Sequence, residues 1–172
     1  MKNEGKIFEA DFQKSCPENI WIKREKDNVM FNPNQTSNFQ RFTMTSDYDY
    51  ELFNGKTLYL LELKSTLGFS LAFSKFKKTD KYDQLEKLKK LSDYDNVIGE
   101  VIINFRDYVR TYFIEINKFI QFKSRVTKKS ISVDDCVEIG ELIRQEIKRT
   151  HYKYSYGLFE DVYPSHIEYI VT

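Results

Sequence analysis

Glu62, Leu63 and Lys64 set a carboxylate and an ammonium two residues apart, directly after the apolar run Thr57-Leu58-Tyr59-Leu60-Leu61. Successive side chains of a β-strand point to opposite faces, so residues 62 and 64 project together. A Glu and a Lys inside such a strand are costly unless something pairs with them. Two arrangements meet that demand. One is a salt bridge near the strand end. The other is a site at which Glu62 ligates a hard divalent cation and Lys64 serves the chemistry.

The residues before this strand bear on the choice. Residues 48–53 are aromatic-rich and alternating, and Asn54-Gly55 is the preferred pair for a two-residue type I′ hairpin turn. Such a turn sets Asp47 across from Glu62 and Asp49 across from Leu60. A four-residue turn keeps the parity and sets Asp49 opposite Glu62 instead. In either register Asp47, Asp49 and Glu62 share a face, with directly opposed Cβ atoms about 4.5–5.5 Å apart. Carboxylates that close raise one another's pKa unless a cation sits among them. Mg²⁺ is the natural cation, because it binds one or two carboxylates together with water and phosphate oxygens; Mn²⁺ favours similar oxygen ligands. The chemistry this would support is phosphodiester hydrolysis, with Lys64 orienting the attacking water or stabilising developing charge.

The elements that must hold these groups can be read around them. Residues 4–14 carry Ile7, Phe8 and Phe12 along one side, with Pro17 beyond, and predict a short helix. Ile20-Trp21-Ile22 begins a strand. Residues 23–46 are polar, rich in Asn, Gln, Thr and Ser with Pro33 in the middle, and predict an irregular or extended excursion. The strand over residues 56–64 is apolar on both faces and belongs inside a sheet covered by helices. Residues 80–92 predict a helix, with Tyr82, Leu85, Leu88 and Leu91 on one stripe and lysines on the other side. Residues 97–105 and 111–116 read as strands joined through Arg106-Asp107. Residues 132–149 carry the fullest set of helix signals. Ser132 stands as N-cap, Asp134 and Asp135 lie in the first turn, and Cys136, Ile139, Gly140, Ile143 and Ile147 share one face. The Tyr-rich residues 152–172 predict no clear element. This order gives an α/β domain around one mixed sheet.

At 172 residues the chain holds one domain with a proper core. Its 41% hydrophobic and 31% charged content describes a globular rather than a disordered protein. No run approaches the roughly 18 apolar residues that cross a bilayer, and residues 1–6 lack the apolar stretch of a secretory signal. A cytoplasmic protein with no membrane partner is therefore expected. Cys16 and Cys136 lie far apart without CxxC spacing, so free thiols are expected rather than a disulfide framework or a zinc site. His151 and His166 form no metal-ligand pair and are expected at the surface or the core edge. Net charge is +1, but Lys75, Lys77, Lys78, Lys81, Lys87, Lys89 and Lys90 fall in one stretch, and Lys123, Arg125, Lys128 and Lys129 in another. One face can thus be basic enough for nucleic acid while the whole stays near neutral; an ordinary solvated helix face gives the same pattern.

At these residues the chain resembles the RecU-like Holliday junction resolvases, a branch of the restriction-endonuclease-like PD-(D/E)xK nucleases. Asn3-Glu4-Gly5-Lys6-Ile7-Phe8-Glu9 is similar to the family's N-terminal N-x-G-x-x-x-E helix. Ser46-Asp47-Tyr48-Asp49-Tyr50, the turn at Gly55-Lys56, and Leu61-Glu62-Leu63-Lys64-Ser65-Thr66 are similar to its catalytic hairpin. Gln84 resembles the glutamine of many relatives, and the likeness runs over about residues 3–150.

The resemblance implies a restriction endonuclease-like mixed β-sheet flanked by helices, as a single domain over residues 1–172. It also implies a metal-dependent DNA endonuclease acting on four-way junctions as a homodimer, because two symmetric nicks need two sites related by a twofold axis. Carried over by position, Glu9 is the helix carboxylate near the metal. Asp49 and Glu62 are metal ligands with the Leu63 carbonyl as a third, Lys64 is the catalytic lysine, and Gln84 contacts the site from behind or from the DNA side. Family spacing to the E-x-K selects Asp49 as first ligand, whereas hairpin symmetry and the Ser-Asp-Tyr context favour Asp47; Asp49 is preferred. Residues 23–46 stand where the family's resolvases carry a projecting stalk, although their sequence departs from it. They supply the basic residues Lys23, Arg24, Lys26 and Arg41, of which Lys23, Arg24 and Arg41, with Lys75, Lys77 and Lys78, are the expected DNA contacts. The rival readings are the same chemistry on other DNA, in restriction, repair or flap cleavage, and a non-catalytic DNA-binding domain of the same fold.

Overall fold

The stretch from Tyr59 to Leu63 buries side chains on both sides of its strand, Leu60 towards one apolar cluster and Tyr59, Leu61 and Leu63 towards another. Only a strand inside a sheet, with cover on both faces, can do this. The fold supplies that cover. It is seen in a computed structural model that describes residues 4–25, 28–31, 41–44, 46–79 and 82–160.

Helix α1 (Glu4–Lys14) leads into strand β1 (Trp21–Arg24). Strands β2 (Asn28–Phe31) and β3 (Arg41–Met44) follow, then the hairpin β4 (Tyr50–Phe53) and β5 (Leu58–Thr66). Next come β6 (Ser70–Ala72), a 3₁₀ turn over Phe73–Phe76, β7 (Lys77–Thr79), β8 (Tyr82–Asp83) and helix α2 (Gln84–Leu91). The second half comprises β9 (Val97–Phe105), β10 (Arg110–Glu115), α3 (Ile116–Arg125), β11 (Ser130–Ser132), α4 (Val133–Ile139), β12 (Glu141–Ile143), β13 (Gln145–Lys148) and β14 (His151–Tyr154).

Six strands form one sheet in the order β1-β4-β5-β9-β10-β12. The central pair β5 and β9 is parallel and the other neighbours are antiparallel, so the sheet is mixed. One face carries Leu60, Val101, Ile103 and Ile114 against Leu85 and Leu88 of α2, Phe119 and Phe122 of α3 and Cys136 of α4. The other carries Leu61, Leu63 and Ile102 against Phe8 and Phe12 of α1 and the tail residues Tyr154, Tyr156 and Phe159. The Tyr-rich tail is thus partly core. His151 stands at the core edge, its Nδ1 2.7 Å from Oδ1 of the buried Asp11. His166, Lys26 and Lys81 lie outside the described residues.

The structure departs from the sequence reading in four places. Four residues, not two, join β4 to β5, because the Asn54 side chain organises the turn. Its Oδ1 accepts from the Lys56 and Thr57 amides at 3.0 and 2.8 Å, and its Nδ2 donates to the Phe159 carbonyl at 2.8 Å. A type I′ turn needs positive φ at both central residues, and here Gly55 has it at +96° while Asn54 does not. Second, α2 starts at Gln84 rather than near residue 80, since the Asp83 side chain accepts from the Leu85 amide at 3.0 Å and caps the helix there. Third, residues 116–125 form helix α3 directly after β10, an element the sequence reading leaves unassigned.

The fourth is the largest. The helix expected over 132–149 ends at Ile139, although Ser132 and Asp135 do form a capping box at its start. Gly140 is packed so tightly that a Cβ there would lie 2.7 Å from Ile114 Cγ1 and 2.9 Å from the Phe113 carbonyl oxygen. That close approach lets the chain turn into β12, which pairs with β10 as the sheet edge.

The excursion at 23–46 lies partly outside the described residues. Its described strands β2 and β3 form an antiparallel ribbon, with Asn28 opposite Met44 and Phe31 opposite Arg41. Cys16 and Cys136 are free thiols, as expected. Burial raises the pKa of both, that of Cys16 to about 11, which leaves them poor nucleophiles. No helix among the described residues is long and apolar enough to cross a membrane.

Candidate active site

The hairpin register decides which aspartate meets Glu62. Tyr50 lies opposite Leu61 and Phe53 opposite Leu58, so the next position sets Asp49 against Glu62. Asp49 is held from three sides. Its amide donates to the Leu61 carbonyl at 2.9 Å, and its own carbonyl accepts from the Glu25 amide at 2.8 Å. Its Oδ2 accepts from the Leu63 amide at 2.8 Å. The β4–β5 ladder therefore continues through the aspartate side chain, which fixes where that carboxylate points. Asp47 precedes the strand in a bend and is half-buried.

Glu62 is wholly buried on the same face as Leu60. The ammonium of Lys64 lies against its Oε1 and within 3.2 Å of Gln84 Oε1. Beneath the ammonium is the Phe76 ring, 5.7 Å to its centroid, in cation–π contact. With one-fifth of its side chain exposed, Lys64 links the buried carboxylate to the surface. Gln84 is the first residue of α2 and is 1% exposed, so the Asp83 cap that starts the helix also aims Gln84 at Lys64. Among the described residues Gln84 Nε2 is buried without a hydrogen-bond partner.

Glu9 approaches from α1. Its carboxylate pairs with Arg24 Nη2 at 2.5 Å, and its carbonyl accepts from the Tyr50 hydroxyl at 3.3 Å. Burial raises the Glu9 pKa, and the Asp49 charge adds to the effect, while Arg24, Lys64 and Lys6 oppose it. Glu9 thus feels both Asp49 and Lys64. The five side chains of Glu9, Asp49, Glu62, Lys64 and Gln84 gather at one end of the β4–β5 hairpin.

The expected DNA contacts are less uniform. Lys23 meets Glu25, and Glu51 at 3.5 Å, and Arg24 is held by Glu9, so both are already engaged by carboxylates. Lys75 and Lys77 are exposed and flank Phe76. The backbone of Arg41 lies in β3 and that of Lys78 in β7; their side chains lie outside what is described. Phe76 was not singled out in the sequence. An aromatic residue between two lysines was the available signal.

Among the described residues no three carboxylate, imidazole or thiol groups form a ready-made metal cage. Mg²⁺ needs fewer, since one or two carboxylates suffice when phosphate and water complete its shell. Asp49 and Glu62, two hard oxygen donors opposed across one strand pair, fit that requirement; zinc, which prefers nitrogen and sulfur, finds no such donors there.

No protein-family model matches the chain. The SPbeta prophage-derived uncharacterized protein YotM of Bacillus subtilis (strain 168) is 32% identical over 167 residues, which cover 88% of this chain and 82% of that protein. Among solved structures, Hjc of Archaeoglobus fulgidus, a Holliday junction resolvase from an archaeal hyperthermophile, superposes with a TM-score of 0.51 at 16% identity. The match takes in 80% of this chain and 95% of Hjc. At that identity the likeness establishes the fold, a restriction endonuclease-like mixed sheet flanked by helices.

Proposed function

The chain belongs to the same family as YotM, and we propose that it is a metal-dependent DNA endonuclease of the PD-(D/E)xK type. Within that class we propose a RecU-like resolvase of four-way junctions in phage or bacterial recombination, acting as a cytoplasmic homodimer. The observation that carries the reading is the register that opposes Asp49 to Glu62, with Lys64 on the same face and Gln84 behind it. That Hjc, which shares the fold, is described as a Holliday junction resolvase supports the choice of substrate.

Asp49 and Glu62, with the Leu63 carbonyl, would hold Mg²⁺ or Mn²⁺, which when bound polarises a phosphate and acidifies water. The remaining work falls to the chain's own groups. Once a phosphate enters, the Lys64 ammonium leaves Glu62 to stabilise charge on the phosphoryl oxygens and to orient the water. Gln84 keeps that ammonium in place through its Oε1. Glu9, its proton affinity raised by burial, stands beside Asp49 to take part in proton transfer. Lys75 and Lys77 hold backbone phosphates and set the register of the duplex. Lys23 and Arg24 would join them by exchanging a carboxylate partner for a phosphate, and Arg41 and Lys78 are the remaining expected contacts.

The test incubates the purified chain with a labelled four-way junction, a linear duplex and a single strand, with Mg²⁺ and with EDTA. Paired symmetric nicks confined to the junction and lost in EDTA are expected, with a dimer on size-exclusion chromatography. Cutting of all duplexes would reassign the enzyme to restriction, repair or flap cleavage. Junction binding without cutting in either Mg²⁺ or Mn²⁺ would overturn the enzymatic reading.

A further inference from the structure

A second glutamate is buried in the sheet, and its strand carries no lysine. Glu100 on β9 is 2% exposed, and its Oε2 has no hydrogen-bond partner among the described residues. A buried polar atom in that state costs free energy unless a ligand or a proton answers it. Glu100 lines a cleft of about 320 Å³ at the end of the sheet away from Lys64. The charged groups around it come from three elements. Glu115 lies directly opposite on β10, Glu141 faces in from β12, and Lys118 reaches it from α3. Glu115 Oε1 also accepts from Asn117 Nδ2 at 3.0 Å. The cleft therefore holds three carboxylates and one ammonium. The rest of the lining is mixed: Val97, Ile98, Phe113, Ile116 and Ile139 supply apolar surface, and Ser92 and Asn117 supply polar groups.

This combination selects its ligand. Three carboxylates reject phosphate and nucleic acid. Among the described residues the carboxylates are not disposed as a metal cage. An alkylammonium satisfies both halves: its N–H groups answer the buried oxygen, and its methylenes lie on the apolar walls. The volume falls at the small end of ligand pockets.

We propose that this cleft is a binding site for a small alkylammonium cation, with Glu100 as its buried anchor and Glu115 and Glu141 at its rim. Burial, with Glu115 and Glu141 adding and Lys118 opposing, raises the Glu100 pKa to about 9. At neutral pH a proton then occupies the carboxyl. Binding exchanges it: the carboxylic acid and the ammonium give a carboxylate–ammonium pair and release one proton to solvent. The site is separate from the nuclease reading and does not depend on it.

The experiment is calorimetric titration of the full chain with 1,4-diaminobutane at pH 7, in two buffers of different ionisation enthalpy. Saturable binding with release approaching one proton per site is expected. Glu100→Gln keeps the shape and should weaken binding at least tenfold while abolishing proton release. Nα-acetyl-lysine amide, titrated in parallel, separates sources. Tighter binding of the diamine means a free amine, and tighter binding of the lysine derivative means a partner's side chain. Should Glu100→Gln fail to fold, the double variant Glu115→Gln and Glu141→Gln must weaken binding instead. No saturable binding of either amine, or binding indifferent to these substitutions, overturns the proposal.

Discussion

Glu62 and Glu100 are buried glutamates on the two central strands, one register step apart, Glu62 beside Val101 and Glu100 beside Leu61. Strand alternation turns them to opposite faces of the sheet. Glu62 has an ammonium two residues along its own strand, steadied by Gln84 and Phe76. Glu100 has two further carboxylates, with Lys118 as the one cation acting on it among the described residues. Burial of a carboxylate therefore does not by itself say what the group is for. The neighbour does. A cation built into the chain makes one position a candidate for chemistry on phosphates, and its near absence at the other makes that position a receptor for positive charge from outside.

The strongest way to break this comparison is to remove charge without changing shape. Glu62→Gln and Asp49→Asn are each expected to lower junction cleavage by about 10²–10³-fold, the scale of losing preorganised electrostatic stabilisation. Junction affinity should stay within about threefold, since phosphate contacts elsewhere carry it. Asp47→Asn should cleave within a few-fold of the parent, because the register opposes Asp49, not Asp47, to Glu62. Gel assays of cleavage rate and of binding in Ca²⁺ measure both quantities. An inactive Asp47→Asn beside an active Asp49→Asn would mean that the hairpin register does not choose the ligand.

Gln84→Leu probes the support rather than the site. Groups that orient the residues around a metal are typically worth about 10–100-fold, and a loss of that size is expected here in single-turnover rate. Because the side-chain hydrogen bond of Gln84 goes to Lys64, and its Nε2 meets neither Asp49 nor Glu62, the loss should fall on rate at saturating metal, with the metal concentration for half-maximal rate unchanged. A shift in metal dependence alone would assign Gln84 to the metal and not to the lysine.

How much of this was legible in the sequence follows from how local each signal was. The unbroken apolar run at 57–61 and the Val- and Ile-rich run at 97–105 placed β5 and β9, because burial on both faces is written into successive residues. The two readings of Glu62 and Lys64, salt bridge or site, turn out to be compatible: the pair is an ion pair, and it stands opposite Asp49. What escaped the sequence depended on distant partners. Ile139, Ile143 and Ile147 keep helical spacing, yet Gly140 yields to the packing of β10 and releases β12 as an edge strand. Asn54 suggested a two-residue turn, but its side chain is committed to its own turn and to the Phe159 carbonyl 105 residues away. The stripe of Ile116, Phe119 and Phe122 in α3 was present, hidden because the helix begins without a break after β10 and without a side-chain cap. Glu100 gave no warning, since a glutamate within an apolar strand reads equally well as one facing water.

The smaller effect sharpens the other half of the comparison. Glu100 has its pKa raised from an ordinary 4.5 to about 9. Between those values the unfolded chain has lost a proton that the native chain keeps, so the native state binds more protons and its stability falls as pH rises. The slope is at most about 1.4 kcal/mol per pH unit, full between the two values and gone above the upper one. Glu100→Gln carries no proton to lose, so its denaturation free energy should be flatter between pH 5 and 9, and its advantage over the parent should grow towards pH 9. Added 1,4-diaminobutane should stabilise the parent, more at pH 8 than at pH 6, where it must displace a more tightly held proton, and leave Glu100→Gln little changed. Parent and variant with parallel stability curves would mean that Glu100 is not held neutral by its surroundings, and the contrast with Glu62 would then be one of position and not of charge.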